Sequence, residues 1–226
     1  MRHWVIGDIH GCANALQALL NTIPLSDSDA IITVGDYVDR GPNSYGVIEQ
    51  LLHIVKSHRL YPLRGNHEIM MLRARDNSDD YEEWLRNGGD KTLASYSPLG
   101  DAGNIHDIPD HHWSFLENCL PYYETINHFV VHANAYPDYP LNEQPDYMLY
   151  WERLNIAAAH MSGKTMICGH TPQKTGLPQQ QSHAVCIDTY AHGGGWLTCL
   201  NLETFKYWQA NQQQQVRSDY LPLFLP

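Results

Sequence analysis

At 226 residues the chain suits one large domain or two small ones, and it can bury a proper core without staples. Its formal charge of −11, from 25 acidic and 14 basic side chains, argues against a nucleic-acid or anionic-membrane binder, which would present a basic face. Five cysteines with no C-x-x-C pair point to reduced thiols in a cytoplasm, not to a disulfide frame or a zinc knuckle.

No basic-then-apolar leader opens the sequence, and no apolar run reaches the ~18 residues of a membrane span. A cytoplasmic protein is expected, with neither nucleic acid nor membrane as partner. The acidic balance leaves a phosphorylated substrate open, because bound metals reverse the local sign.

His3-Trp4-Val5-Ile6 reads as a strand that stops at Gly7-Asp8-Ile9-His10-Gly11. Residues 13–21 carry Leu16, Leu19 and Leu20 at helical spacing, and Pro24 closes that helix. Ala30-Ile31-Ile32-Thr33-Val34 is a buried strand, followed at once by Gly35-Asp36-Tyr37-Val38-Asp39-Arg40-Gly41. Pro42-Asn43-Ser44 opens a second helix bearing Val47, Ile48, Leu51, Leu52 and Val55. Residues 59–63 form a third strand, ending at Gly65-Asn66-His67-Glu68. The strands recur at about the thirty-residue interval of a strand–helix–strand crossover. Residues 1–68 are therefore expected to form a βαβαβ unit with its three polar turns on one edge, where open α/β sheets place ligands.

Residues 69–120 are more helical and more polar. Helices are expected over 70–75, 81–87 and 113–119, with breaks at Gly88-Gly89 and Pro98-Leu99-Gly100. This stretch reads as a cap or insert leaning on the site, within a single domain spanning 1–226. From 121 onward strands are expected at 129–131, 165–168, 184–187, 196–200 and 205–208. Two of them end in histidine motifs, Val131-His132-Ala133 and Gly169-His170-Thr171. Gln179-Gln180-Gln181 and 212–215 read as a loop and a tail.

Asp8, His10, Asp36, Asn66, His132 and His170 make a donor set of carboxylate, imidazole and amide oxygen, which suits Mn²⁺ first, with Fe²⁺ or Zn²⁺ as alternatives. Asp8, His10 and Asp36 can hold one ion; Asp36, Asn66, His132 and His170 can hold a second. A shared Asp36 would set the two ~3.5–4 Å apart, with a hydroxide between them ionised near neutral pH. Arg40 offers a planar fork to phosphate oxygens, and Arg153, after Leu149-Tyr150-Trp151-Glu152, is a second clamp. His67 adjoins the ligand Asn66, and as an imidazolium it can protonate a leaving oxygen while Asp39 holds its ring.

Taken together, Gly7 to Gly11, Gly35 to Gly41 and Gly65 to Glu68 resemble the signature blocks of the PPP-type phosphoprotein phosphatases, within the calcineurin-like metallophosphoesterases. Val131-His132-Ala133, Trp151-Glu152-Arg153, Gly169-His170-Thr171-Pro172 and Ile187-Asp188-Thr189 resemble the later blocks. Trp84 to Gly89 and Thr92 to Tyr96 resemble the compact bacterial branch. The resemblance implies an α/β fold, a four-layer αββα sandwich of two mixed sheets with a small helical cap. It also implies a dinuclear centre, direct attack of a metal-bridging hydroxide on phosphorus and no phosphoenzyme. The substrate it implies is a phosphorylated protein (serine and threonine esters, with tyrosine as a further one) or a small phosphoester, and Asn66 would face that substrate as well as metal. A related branch, the symmetrical bis(5'-nucleosyl)-tetraphosphate hydrolases, usually lacks the acid at 39 and has Gly-Asn-His-Asp in the third block, whereas this chain has Asp39 and Glu68. A metal-free scaffold of the same fold is a third reading, set against six intact candidate ligands.

The chain departs from that pattern in three places. Asn134 and Tyr190 stand where the family usually has glycine, and Gly193 stands where it often has an aromatic. Tyr190 and His192 are expected to form a structural turn, with substrate contact as the lesser alternative. His53, His58, His111, His112, His128, His160 and His183 read as surface or packing residues, Cys12 as a small filler, and Trp84 and Trp113 as packing for the cap. Glu68 is expected to brace its loop, and Asp188 to fix the last strand turn.

Overall fold

The strands β1 (His3–Ile6), β2 (Ala30–Thr33) and β3 (Arg59–Pro62) run parallel, joined by α1 (Ala13–Thr22) and α2 (Ser44–Ile54). The computed structural model describes residues 1–97 and 102–222, so the expected break at Pro98-Leu99-Gly100 lies outside the described residues. Every residue of β2 is buried, as an internal parallel strand covered on both faces requires. Ala15, Leu16 and Leu19 of α1 and Val47, Ile48 and Leu51 of α2 are the buried stripes that bring the helices onto the sheet.

The chain returns late to this sheet. Strand β9, the ninth in order (Leu197–Asn201), pairs antiparallel with β1. Before it come the strands of a second sheet, β4 (Tyr122–Glu124), β5 (His128–Val131), β6 (Thr165–Cys168), β7 (Gln179–Gln180) and β8 (Ala184–Cys186), ordered β4-β5-β6-β8-β7 and parallel through β5, β6 and β8. After it, β10 (Lys206–Ala210) and β11 (Val216–Tyr220) complete a six-stranded sheet ordered β11-β10-β9-β1-β2-β3. Val5, Ile32, Val34, Leu63 and Leu200 of the first sheet and its turns meet Val130, Ile167, Val185 and Ile187 of the second. Helices cover the first sheet's other face. The second sheet's outer face packs Phe129, Val131, Met166 and Cys168 under Leu141, Leu149 and Tyr150, the last two from α7 (Asp146–Tyr150). The layers are those of the αββα sandwich, with a thin fourth layer.

Between the sheets in sequence lie α3 (Asn66–Ala74), α4 (Ser78–Trp84), α5 (Asp90–Tyr96) and α6 (Asp110–Glu117). Met71, Trp84, Leu93 and Leu116 from these helices share one buried cluster with Leu16, Leu19, Ile48 and Leu51. The cap is thus an extension of the first helical layer.

Two expectations need correcting, and one is met. Helix α3 begins at Asn66, with Gly65 as its N-cap, so both Asn66 and His67 sit in its first turn. The break expected at Gly88-Gly89 is present as a kink: Gly88 takes a non-helical φ of +109° within Leu85–Gly89, where the chain turns from α4 into α5. The glutamine runs are structured: Gln179–Gln180 is an edge strand, and 212–215 turns a hairpin in which Asn211 Oδ1 accepts from the backbone N–H of Gln213 and Gln215. Strand β11 is exposed along its whole length, so no buried face marked it in the sequence; backbone pairing with β10 holds it, with Arg217 donating to Gln209 Oε1 and to the Gly176 carbonyl.

Candidate metal centre

Each parallel strand of both sheets ends in a polar turn. Asp8 follows β1, Asp36 follows β2, His132 follows β5, His170 follows β6 and Asp188 follows β8. Glu68 locks two of these turns together. Its Oε2 accepts from the N–H of Gly65 at 2.7 Å and of Asp36 at 2.8 Å, and its Oε1 accepts from Tyr37 N–H at 2.8 Å. The turns approach so closely that a Cβ on Gly65 would lie 2.2 Å from Asp36 Oδ1, so only glycine fits there. The first turn of α3 then points its donors at Asp36, whose Oδ1 accepts from His67 N–H at 3.1 Å.

Asp36 sits between two groups of imidazoles. Its Oδ2 is 3.3 Å from His10 Nε2, and its Oδ1 is 3.5 Å from His132 Nε2. The outer nitrogen of each histidine donates to a backbone carbonyl: His10 Nδ1 to Val38 (2.8 Å), His132 Nδ1 to Val34 (3.0 Å) and His170 Nε2 to Trp151 (3.0 Å). In the neutral rings this leaves the inner nitrogen of all three with its lone pair, which at His10 faces Arg40 Nη1 and at His132 and His170 faces no donor. Asn66 Oδ1 lies 3.0 Å from both His132 Nε2 and His170 Nδ1, and those nitrogens are 3.2 Å apart. Lone pairs thus face lone pairs, an arrangement that calls for a cation at its centre. Burial pushes His132 down to about 3, which keeps it in the neutral form that ligates metals.

The carboxylates tell the same story. Burial, then the charges of Asp188 and Asp36, pushes Asp8 well above the usual carboxylate range, and Asp8 Oδ1 is buried with no partner among the described residues. Burial also opposes ionisation of Asp36, but His132, His67 and His10 outweigh it and hold the group well below its ordinary value. Burial pushes Asp188 up to about 6; it accepts from Tyr190 N–H at 3.1 Å, which is the turn-fixing contact expected of it. Three acids crowded this deep require positive charge for all of them to ionise. The donor set therefore fits divalent metal ions.

All six candidate ligands come together. Asp36, His132 and His170 form a triad whose donor atoms lie within 4.8 Å of one another. The second such triad is His10, Asp36 and His67, so His67 is nearer the donor cluster than its expected role required. Asp8 joins from the side, its Oδ2 accepting from His170 N–H at 2.9 Å. His67 Nδ1 lies 2.6 Å from Asp39 Oδ2, and His67 Nε2 is buried with no partner among the described residues. Arg40 is exposed, with Nη1 3.2 Å from His10 Nε2. Arg153 is exposed too, and its charge is felt at His170.

Sequence reasoning gave Thr92 no role here, and gave Trp84 and His192 lesser ones. Trp84 does more than pack the cap: its Nε1–H donates to both oxygens of Asp39, at 2.9 and 3.0 Å. Thr92 Oγ1 donates to Asp39 Oδ1 at 2.7 Å and accepts from Asp39 N–H at 2.8 Å. His192 stacks edge-on against His10 at 4.7 Å, in turn 4.8 Å from the Tyr190 ring. A Cβ on Gly193 would lie 2.0 Å from that Tyr190 ring. The departures at 190 and 193 are linked: the Tyr190 ring, carried at a left-handed φ of 65°, occupies the space a side chain at 193 would need.

A family model for calcineurin-like phosphoesterases matches residues 1–195, a stretch that holds every candidate ligand. The chain belongs to that family. This calcineurin-like phosphoesterase is 33% identical over 215 residues to serine/threonine-protein phosphatase 1 of Salmonella typhimurium, covering 89% of this chain and 93% of the relative. It is 28% identical over 224 residues to the asymmetrical bis(5'-nucleosyl)-tetraphosphatase PrpE of Oceanobacillus iheyensis, covering 86% of each. Its fold matches that of a cold-active protein-tyrosine phosphatase from a Shewanella species with a TM-score of 0.63 at 15% identity, over 96% of this chain and 80% of that one. Among the described residues no helix is long and apolar enough to cross a membrane.

Proposed function

We propose that this phosphoesterase is a serine/threonine phosphoprotein phosphatase, with phosphotyrosine as a further substrate, whose whole length forms one catalytic unit. The observation that carries the chemistry is the Asp36 carboxylate set between imidazoles whose inner nitrogens converge on it. Asp8, His10 and Asp36 would hold one divalent ion, Mn²⁺ by preference, and Asp36, Asn66, His132 and His170 the other. When bound, such a pair acidifies water toward neutral pH and neutralises charge on the phosphoryl group.

The chain's own residues do the rest. Arg40 and Arg153 grip phosphoryl oxygens and set the phosphorus in line. His67 delivers a proton from Nε2 to the leaving oxygen, and Asp39 fixes the ring from behind. Trp84 and Thr92 hold Asp39 in its rotamer, and Glu68 holds the turn that carries Asp36. The Asp39–His67 pair and the match to a serine/threonine phosphatase over most of both chains favour a protein substrate. The match to a nucleosyl-tetraphosphatase keeps dinucleotide hydrolysis as the competing reading.

The test is kcat/KM in Mn²⁺ for phosphoserine, phosphothreonine and phosphotyrosine peptides against diadenosine tetraphosphate. Preference for a phosphopeptide is expected. A tenfold or greater preference for the dinucleotide would overturn the assignment.

A further inference from the structure

A second cluster of metal-ligating side chains lies outside the centre just described, where α2 meets α6. Glu49 Oε1 of α2 is 2.9 Å from His112 Nε2 and 3.3 Å from His111 Nε2, both of α6. The two imidazoles meet at 4.4 Å, and all three donor atoms lie within 4.8 Å of one another. A tetrahedral shell with bonds of about 2.0–2.1 Å places its donors roughly 3.3 Å apart, so small side-chain shifts would seat an ion here.

The surroundings are built for ligation. His112 is fully buried, and its Nδ1 lies 2.8 Å from the Tyr96 hydroxyl of α5, a partner that fixes the ring and leaves Nε2 for a metal. Burial holds His112 below its ordinary value against the pull of Glu49, which keeps the ring neutral. The side chains of His111 and Glu49 are 60% and 44% exposed, which gives an entry path and leaves a coordination position to water.

We propose that Glu49, His111 and His112 form a further cation site, for a borderline divalent ion of the zinc class, that clips α2 to α6. Two imidazoles and a carboxylate select that class over Mg²⁺ or Ca²⁺. The clip acts at a useful place. Ser44, the first residue of α2, accepts from Asp39 N–H at 3.2 Å, and Thr92 of α5 holds the Asp39 carboxylate. Tying α2 to α6, with Tyr96 of α5 against the same ring, steadies the two helices that position Asp39.

The experiment loads full-length protein with Mn²⁺ and equilibrates it with Zn²⁺. Bound zinc per chain and the zinc-dependent shift in Tm are then measured for the wild type, His111→Ala and Glu49→Gln. The wild type should hold one more zinc per chain than either variant, and its zinc-dependent rise in Tm should vanish in both. Mn²⁺-dependent turnover without zinc should be unchanged in the variants. Equal zinc content in wild type and variants, or an equal zinc-dependent Tm shift, would overturn the site and leave a plain histidine–carboxylate contact.

Discussion

Replacing His67 with asparagine isolates its proton from its other contacts. In the structure His67 touches Asp39 through Nδ1 at 2.6 Å and leaves Nε2 buried and unpaired. An asparagine amide can keep the Asp39 contact, and Asp39 also retains Trp84 and Thr92, so no buried acid is orphaned. What is lost is the proton at Nε2. A general acid contributes about 10²–10³ in rate, or roughly 3–4 kcal/mol at 1.36 kcal/mol per tenfold. The loss should depend on the leaving group. With a phosphoserine peptide, whose alkoxide needs protonation, kcat should fall by about 10²–10³. With p-nitrophenyl phosphate, whose phenolate leaves unaided, it should fall by about tenfold or less. Metal content, measured in the same preparations, should not change. Equal losses on both substrates would remove His67 as the acid. Loss of an ion would instead make it a ligand, a role its place in a triad with His10 and Asp36 permits.

Arg40→Ala should raise KM and lower kcat together, since the exposed guanidinium beside His10 is assigned to the phosphoryl group in ground and transition states alike; unchanged kinetics would take it out of the site. Trp84→Phe removes a charge-assisted donor worth about 1.5–3 kcal/mol from Asp39, and kcat should fall roughly tenfold with KM unchanged. A lowered Tm with unaltered kcat would reduce Trp84 to packing. EDTA-treated protein should be inactive and less stable than protein in Mn²⁺ at a hundred times its Kd by about 2.7 kcal/mol for each of the two ions, as read by urea unfolding; identical curves would contradict the fit of the centre to cations. Asp29 gives a test of stability against pH. It is buried, and although burial opposes its charge, bonds from the Arg2 side chain, Ser26 N–H and the Trp4 indole hold it below its ordinary value. A lowered folded value means stability present above the unfolded value of about 3.9 and lost as pH falls toward the folded one. Asp29→Asn should therefore cost about 1–3 kcal/mol at pH 7, and the gap to wild type should close below about pH 4; a gap constant with pH would place the effect in shape alone.

The N-terminal sheet and its donor turns were legible because local pattern and tertiary position coincide there. Apolar runs such as Ala30 to Val34 can only be buried strands, and crossover spacing puts their ends on one edge, which is why Asp8, Asp36 and Asn66 could be grouped without coordinates. The residues that steady Asp39 were not legible. Trp84 and Thr92 lie far from Asp39 in sequence, and the kink at Gly88 between their helices brings both to it and leaves the Gly88 carbonyl to accept from Arg40 N–H at 3.2 Å. The break at Gly88 and Gly89 is legible locally, but not where it sends the chain: the positive φ of Gly88 swings α5 onto the Arg40 turn. Strand β11 failed for the opposite reason: it buries nothing, so side-chain pattern carries no trace of its pairing.

Backbone strain follows the same division. His10, Asp36, Asp39, Arg40 and His170 all take φ between 44° and 70°, a region that costs a non-glycine residue of order 1 kcal/mol or more. Such a cost persists only where surrounding contacts over-determine the conformation, and here they do. The Asp36 turn is held by Glu68, the Asp39 amide by Ser44 and Thr92, the Arg40 amide by Gly88, and the His170 amide by Asp8. A left-handed residue at the end of a parallel strand turns its side chain out of the strand's alternation, letting ligands from different strands converge on one point. Strain and convergence are thus the same feature. This explains why polar residues that are individually unremarkable in the sequence can assemble a centre only when every one of those braces is present.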